Sequence, residues 1–176
     1  MLPDANSDDN DRSRYVTPVG AADPAAVAEF WERAVAACGL DPTLSVPAAG
    51  CFGDTVELAD ELIELVLHGD KRATAGALEE FGATGELLPV VGGYCIATDG
   101  AMLPRAVLYT TDIRIGPLSS VDEQFAWDEG EGDRTRAWWL EAHTWYFTTT
   151  AERTGIEFRP DMPTVFERFT VTYQEA

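Results

Sequence analysis

The chain has 176 residues, of which 45% are hydrophobic and 10% aromatic, enough for one domain with a buried core. Its 31 acidic and 12 basic residues give a formal net charge of −19. This charge disfavours the binding of long polyanions, because nucleic-acid affinity depends on cations that neutralise phosphates. A small, nearly neutral ligand meets no such penalty.

Cysteine and histidine content narrows the kinds of site further. The three cysteines, Cys38, Cys51 and Cys95, include no CxxC pair, so we expect neither a disulfide framework nor a structural zinc site. Two histidines are too few for a His-rich metal site, whereas magnesium bound by carboxylates stays open. The chain has no apolar run long enough to span a membrane and no signal-peptide pattern. We therefore expect a cytoplasmic protein without a membrane partner.

The N-terminal part divides into a tail and a helix. Residues 1–23 are rich in Asp, Asn, Ser, Pro and Gly, a composition typical of a disordered acidic tail. Asp23 and Pro24 are typical of a helix N-cap and first helical residue, and the predicted helix runs over residues 24–38 and ends at Gly39. We expect a single domain over residues 24–176.

The second predicted helix leads into a turn with a lysine. Residues 56–67 have apolar side chains at helical spacing, and Gly69 stands where a helix-ending glycine is expected. Gly69, Lys71 and Thr74 form the pattern Gly-x-Lys-x-x-Thr, on a turn or at the start of a strand. It is not a phosphate-binding loop, because that motif has Lys directly after Gly and a second glycine upstream. On these residues alone, a surface turn with two cations is the simpler interpretation.

The rest of the chain alternates between strands and helices. Strand-like segments over residues 94–98 and 105–115 flank a glycine-containing turn and predict a hairpin. A short helix is predicted over residues 120–128, then a helix capped by Asp133, then a strand over residues 164–173. This order indicates an α+β fold with a mostly antiparallel sheet, which we expect to close as a small barrel.

An acidic, glycine-broken loop, Glu-Gly-Glu-Gly-Asp, occupies residues 129–133. One interpretation is a solvated turn that ends in a helix cap, since acids are favoured at helix N-termini in any protein. The other is a functional loop. The combination of this loop with the lysine turn favours the second interpretation, because together they carry a family resemblance.

Four segments, in the same order, resemble the ASCH domain family. They are Phe52-Gly53-Asp54 with Leu58-Ala59-Asp60-Glu61-Leu62, then Gly69-Asp70-Lys71-Arg72-Ala73-Thr74, then Asp128-Glu129-Gly130-Glu131-Gly132-Asp133 with Trp139, His143 and Tyr146-Phe147, and last Asp161-Met162-Pro163-Thr164-Val165-Phe166-Glu167-Arg168-Phe169. The resemblance covers about residues 24–176. It implies a PUA-like small β-barrel of mixed, mostly antiparallel strands with surrounding α-helices.

The resemblance also implies an activity. In a bacterial branch of the family, a Lys and a Thr of the Gly-x-Lys-x-x-Thr motif act with a Glu of the acidic stretch to hydrolyse N(4)-acetylcytidine and related acylated cytidines. By this resemblance the catalytic residues are Lys71, Thr74 and Glu129, with Glu131 as the alternative position for the glutamate. The implied partner is a modified nucleoside, cleaved to cytidine and acetate without a cofactor. Substrate contacts are expected from Arg72, Glu131, Phe52 and Trp127, the aromatic rings by stacking on the base.

The family leaves two other functions open. Some members look like ribonucleases or bind RNA, and a divalent metal held by Glu129, Glu131 and Asp133 would offset the acidity of the chain in a metal-dependent ribonuclease. The third hypothesis is a non-enzymatic sensor that binds a modified nucleoside or a protein, with tight binding and no turnover.

Amide hydrolysis needs a nucleophile, a proton carrier and a group that stabilises the oxyanion. Thr74 supplies a hydroxyl that attacks the carbonyl, or it only binds while Glu129 activates water. Lys71 is a base if burial lowers its pKa, and an oxyanion stabiliser if it stays charged. Glu129 can also protonate the leaving amine. His143 is expected to be a packed histidine rather than a base.

Overall fold

Helices and strands are interspersed along the chain, and the computed structural model describes residues 17–84 and 87–175. The helices are α1 (Pro24–Cys38), α2 (Val56–His68), α3 (Leu78–Thr84), α4 (Glu123–Glu129) and α5 (Arg136–Thr154), with a 3₁₀ turn at Leu118–Ser120. The strands are β1 (Ala49–Gly50), β2 (Ala73–Ala77), β3 (Tyr94–Thr98), β4 (Pro104–Pro117) and β5 (Pro163–Gln174). Within these ranges no helix has the length and apolar character needed to cross a membrane.

The five strands form one sheet in the order β1-β3-β4-β5-β2. The pairs β3–β4, β4–β5 and β5–β2 are antiparallel, and β1 pairs with β3 in parallel. The prediction of an α+β fold with a mostly antiparallel sheet is confirmed. The prediction that the sheet closes is wrong, because β1 and β2 are its two edges. A two-residue strand offers too few backbone groups for a ladder on its free side, so the sheet stays open there.

Glycines end the first two helices at the positions predicted from the sequence. Asp23 caps α1 by accepting a hydrogen bond from the Ala25 N–H, and Gly39 ends it in the left-handed conformation with φ 63°. Thr55 caps α2, and Gly69 ends it with φ 95° while its N–H donates to carbonyls of the last turn. The chain therefore turns at Gly69 and enters β2 directly afterwards.

Short elements and one cap differ from the prediction. The sequence prediction did not include β1 or α3. These elements have two and seven residues, which are too few to show a clear hydrophobic periodicity. The cap of α5 is Thr135 rather than Asp133, whose carboxylate accepts hydrogen bonds from the N–H and the hydroxyl of Thr135. The predicted helix over residues 120–128 begins later, at Glu123 after its cap Asp122.

Residues 17–23, assigned to the tail from the sequence, are joined to the start of α2. The Val56 N–H donates to the Thr17 carbonyl at 2.8 Å, and Pro18 forms an isolated bridge with Thr55. The Thr17 hydroxyl also donates to Glu57 at 2.6 Å. This part of the predicted tail therefore belongs to the folded body, whereas residues 1–16 lie outside the described residues.

The chain passes between two hydrophobic clusters at the lysine turn. One cluster packs α4 and α5 against β2 and β5 around Phe166. The other packs α2 against β3, β4 and β5 around Phe169. α2 contributes Val66 to the second cluster and β2 contributes Ala73 to the first. Lys71 thus stands between two packed units, which fix the position of its backbone.

Candidate active site

The turn after α2 directs the Lys71 side chain into the protein. The N–H groups of Asp70 and Lys71 both donate to the Leu65 carbonyl, at 2.9 and 3.0 Å, and the Arg72 N–H donates to the Asp128 carbonyl at 2.7 Å. Lys71 is the only lysine of the chain and is 1% exposed. The interpretation as a surface turn is wrong for this residue, since a buried ammonium is stable only beside opposite charges.

The acidic loop contacts the lysine turn through its backbone at Gly130. This glycine has φ 72°, and a Cβ at this position would collide with the Asp70 carbonyl oxygen. Nη2 of Arg134 donates to the same carbonyl at 3.0 Å. The two loops therefore form one unit. It brings Glu129 and Glu131, which flank the glycine, next to Lys71.

Two carboxylates surround the Lys71 ammonium. Nζ donates to Oε1 of Glu131 at 2.5 Å and lies 3.9 Å from Oε2 of Glu129 and 5.2 Å from the centre of the Phe52 ring. Burial lowers the pKa of Lys71, but the charges of Glu131 and Glu129 and the hydrogen bond to Glu131 outweigh it. The net pKa lies above the usual lysine value. Lys71 is therefore a cation at neutral pH and does not serve as the base that the sequence left open.

Glu129, the last residue of α4, is 1% exposed. Burial raises the pKa of its carboxyl to about 8, although the Lys71 charge acts in the opposite direction. Among the described residues neither carboxyl oxygen completes a hydrogen bond, and the same holds for the indole N–H of Trp139. A carboxyl that keeps its proton near neutral pH and lacks a protein hydrogen bond can act as an acid toward a ligand.

His143 approaches Glu129 from the middle of α5. Its Nε2 lies 3.6 Å from Oε2 of Glu129, and its Nδ1 lies 2.9 Å from the Trp139 carbonyl oxygen. The ring stacks on Trp139 with centroids 3.6 Å apart and an angle of 15°. The expected packing of His143 is thus present, but the side chain also reaches the site. The signal for this was the four-residue spacing from Trp139, which puts both side chains on one helix face after the acidic loop.

These groups border one cavity of about 160 Å³. Its wall includes Phe52, Lys71, Thr74, Glu80, Glu129, Glu131, Trp138, His143 and Tyr146. Two neighbouring cavities, of about 870 and 560 Å³, share Phe52 and Thr74 with it. The three predicted catalytic residues therefore lie around one space, together with two of the four predicted substrate contacts.

Comparison with known proteins assigns the chain to a family. The profile of the ASCH domain matches residues 48–173. The chain belongs to the ASCH domain family. It is similar to the crystal structure of protein EF3133 from Enterococcus faecalis V583, with 34% identity, a TM-score of 0.75, and coverage of 84% of this chain and 88% of that one. It is also similar to the ASCH domain from Lactobacillus crispatus JV V101, with 30% identity, a TM-score of 0.73, and coverage of 91% and 99%. No curated protein matches it.

Two predicted substrate contacts lie away from the cavity of this ASCH domain. The Arg72 guanidinium donates to the carbonyls of Val66 and Lys71, so it closes the end of α2. Trp127 is 55% exposed, and the Arg134 guanidinium lies 4.6 Å from the centre of its ring. The structure does not bring Arg72 or Trp127 to the site, whereas Phe52 and Glu131 border it.

The predicted carboxylate cluster for a metal does not form in the ASCH domain. Asp133 is exposed and accepts from Thr135, while Glu131 pairs with Lys71. Across residues 17–84 and 87–175, no group of three or more His, Cys, Asp or Glu side chains is arranged to hold a metal ion. In this structure Glu129 and Glu131 are the carboxyl neighbours of Lys71.

Proposed function

We propose that this ASCH domain hydrolyses the amide of an N(4)-acylated cytidine such as N(4)-acetylcytidine, releasing cytidine and acetate. The supporting observation is the buried Lys71 ammonium between Glu129 and Glu131, on a cavity that Thr74 also borders. The resemblance to the amidohydrolase branch of the family assigns catalysis to the same residues. A buried glutamate without a hydrogen bond opposes stability, and such perturbed groups cluster at functional sites.

The charge on Lys71 suits it to stabilise the oxyanion. Attack on the amide carbonyl places negative charge on the carbonyl oxygen, and a fixed cation in a water-poor cavity stabilises that charge strongly. The hydrogen bond to Glu131 holds Nζ in place. Glu129, which keeps its proton near neutral pH, is the group that delivers a proton to the leaving nitrogen.

Two routes to the products fit these roles. In the first, Oγ1 of Thr74 attacks the acyl carbon, the C–N bond breaks as the nitrogen takes the Glu129 proton, and the hydroxyl proton of Thr74 replaces it on Glu129. Water then hydrolyses the acyl-threonine and returns a proton to Oγ1. In the second, water attacks directly and Thr74 only binds the substrate. Both consume one water and give cytidine and acetate. Thr74→Val is inactive under the first route and active under the second.

The cavities favour a neutral nucleoside as the substrate. A volume of about 160 Å³ is smaller than the roughly 300–1,000 Å³ of pockets that enclose drug-sized ligands, so the cavity holds the acylated amide end. The ribose extends into the adjoining cavity, whose wall carries Asp54, Glu80 and an Arg153 already paired with Asp54 at 2.7 Å. A phosphate would meet these acids, which favours a free nucleoside over a nucleotide or RNA.

The decisive experiment incubates the purified full chain with N(4)-acetylcytidine, with and without EDTA, and follows cytidine and acetate by chromatography. We expect release that survives EDTA and disappears in Lys71→Ala. Arg159→Ala is the matched control, because it removes a cation from an exposed pair with Glu79 on the surface. Thr170→Val is the control for Thr74→Val, since Thr170 is an exposed threonine on β5.

Other outcomes overturn the proposal. Absence of cytidine release, together with EDTA-sensitive cleavage of a short single-stranded RNA, would establish the metal-dependent ribonuclease instead. Tight binding of N(4)-acetylcytidine in calorimetry without any product would establish a sensor. Release that is unchanged in Lys71→Ala would place the chemistry outside this cavity.

A further inference from the structure

A second titratable side chain faces Glu129 across the cavity wall, and the three residues of the proposed mechanism do not account for it. We propose that His143 is a positioning residue of the site, which orients the Glu129 carboxyl through Nε2 and shares with it the proton that is passed to the leaving nitrogen. The kinetic part of this inference rests on the proposed amidohydrolase function. The structural part, the shared proton, can be tested without any substrate.

The hydrogen bond at Nδ1 determines which ring nitrogen exchanges a proton. Nδ1 lies 2.9 Å from the Trp139 carbonyl oxygen, and a carbonyl only accepts, so Nδ1 carries a hydrogen. The other nitrogen, Nε2, is therefore the one that gains or loses a proton. It lies 3.6 Å from Oε2 of Glu129, and stacking on Trp139 fixes the ring in this direction.

The distance of 3.6 Å is a contact that is longer than a hydrogen bond by about half an ångström or more. Catalytic hydrogen bonds are commonly long in an unliganded site and shorten in the complex. Glu129 has the freedom to close this gap, because neither of its oxygens completes a hydrogen bond within the described residues.

The charged groups around Glu129 and His143 favour a state in which these two side chains together hold one exchangeable proton. Lys71 and Glu131 neutralise each other in a direct ion pair. Tyr146, also on α5, stays neutral because burial raises the pKa of its hydroxyl, and Glu80 of α3 reaches the same cavity from the far wall. Full ionisation of Glu129 beside a neutral His143 would leave a buried carboxylate whose cation, Lys71, lies 3.9 Å away and is already paired with Glu131. One proton on the pair removes that charge.

The proton balance of the reaction follows from this pair. The C–N bond breaks as the nitrogen takes the proton from Glu129, and a C–O bond forms to the hydroxyl of Thr74 or of water. The proton lost by that hydroxyl returns to the Glu129 carboxylate, which shares it with Nε2 of His143. The pair thus ends each acyl-transfer step with the proton it began with, and no oxidant, reductant or co-reactant other than water is needed.

The first test uses nuclear magnetic resonance on the free protein. The chain has two histidines, and His68 is an exposed residue of α2, so His68→Gln identifies the signals of His143. With histidine labelled by ¹⁵N, we expect Nδ1 of His143 to stay protonated over the titration. Nε2 should titrate in two steps in the wild type and in one step in Glu129→Gln, because coupled groups share macroscopic pKa values. Identical His143 curves in the two proteins would overturn the shared proton.

The second test is kinetic. In His143→Gln the amide group lies near the position of the histidine Nε2 and can form a hydrogen bond, but it cannot exchange a proton. We expect kcat to fall about 100-fold or more, KM to change less than about threefold, and the alkaline limb of the pH profile to move. His68→Gln should behave like the wild type. A His143→Gln protein with the kcat and pH profile of the wild type would overturn the inference.

The outcomes for the inference and for the proposed function can be separated. If the wild type releases no cytidine, the proposed function fails, while the two-step titration still decides whether Glu129 and His143 share a proton. If the wild type is active and the titration shows one step, the function stands and His143 is only a packing residue. Glu129→Gln retains the histidine, so the titration does not depend on the folding of a His143 variant.

Discussion

Two ion pairs of similar length show how differently this molecule uses charge. Lys71 and Glu131 are joined at 2.5 Å with side chains 1% and 16% exposed, whereas Arg33 and Glu175 are joined at 2.7 Å with side chains 50% and 35% exposed. Water screens the second pair, which ties α1 to the chain after β5 at the surface. Only the first is dry enough for its charges to act strongly on a group in the cavity beside it. Burial, rather than length, therefore distinguishes the ion pair of the candidate site from a surface contact.

Removing the cation of each pair should give the largest contrast. Lys71→Met should reduce cytidine release about 1,000-fold or more, because it removes the oxyanion stabiliser. It should also lower the free energy of unfolding by about 3–5 kcal/mol, because the largely buried Glu131 carboxylate loses its ion-pair partner beside the buried Glu129 carboxyl. Arg33→Met should leave kcat/KM and the melting temperature close to those of the wild type. Steady-state kinetics and thermal unfolding measure both, and equal losses in the two variants would contradict the distinction.

The second contrast concerns the pH dependence of the free energy of unfolding, whose sign follows from the raised pKa of Glu129. The pKa of this carboxyl is about 8 in the folded protein, against 4.5 for an ordinary glutamate. Between these values the folded state holds a proton that the unfolded state has lost, so the free energy of unfolding falls as the pH rises. Relative to Glu129→Gln, the wild type should lose on the order of a few kcal/mol between about pH 5 and about pH 8. Urea titrations at a series of pH values measure this difference.

Glu175 provides the control with the opposite sign. The hydrogen bond from Arg33 lowers the pKa of Glu175, so its stabilising effect is present above the ordinary glutamate pKa and is lost as the pH falls. Relative to the wild type, Glu175→Gln should therefore lose a small, constant amount of stability at neutral pH, and this difference should disappear as the pH falls through the acid range. Parallel curves for wild type and Glu129→Gln over the neutral range would show that Glu129 ionises normally.

Local sequence signals predicted most of the helices and strands. The features that the sequence did not predict depend on contacts between distant parts of the chain. The caps at Asp23 and Gly39 and the periodicity of α1 are properties of neighbouring residues, so their bounds were predictable. The open sheet depends on the brevity of β1, which has no periodic signature. The family resemblance predicted that Lys71 and Thr74 belong to one site. It could not show that His143 faces Glu129, because that contact joins two helices through tertiary packing.

A third prediction compares two glycines with the same backbone conformation. Gly39 has φ 63°, and a Cβ added there would have no heavy atom within 4 Å, whereas a Cβ at Gly130, with φ 72°, would collide with the Asp70 carbonyl. Gly39→Ala should cost only the left-handed conformation, about 1–2 kcal/mol, with full activity. Gly130→Ala should cost more and reduce kcat/KM about 10-fold or more, since the acidic loop must move away from Lys71. Equal stability and full activity in both would contradict the loop contact.

The smallest effect is expected at the outer face of the acidic loop, where Trp127 packs against Arg134. A cation–π contact at an exposed site contributes about 0.5–1 kcal/mol, so Trp127→Ala should lower the melting temperature slightly. Its KM should stay within about threefold of the wild type, because the ring does not border the cavity. Phe52→Leu should raise KM more, since Phe52 borders the cavity beside the Lys71 ammonium. A large rise in KM for Trp127→Ala alone would mean that the substrate binds on the exposed side of the loop, and the buried ion pair would then have a structural role like that of Arg33 and Glu175.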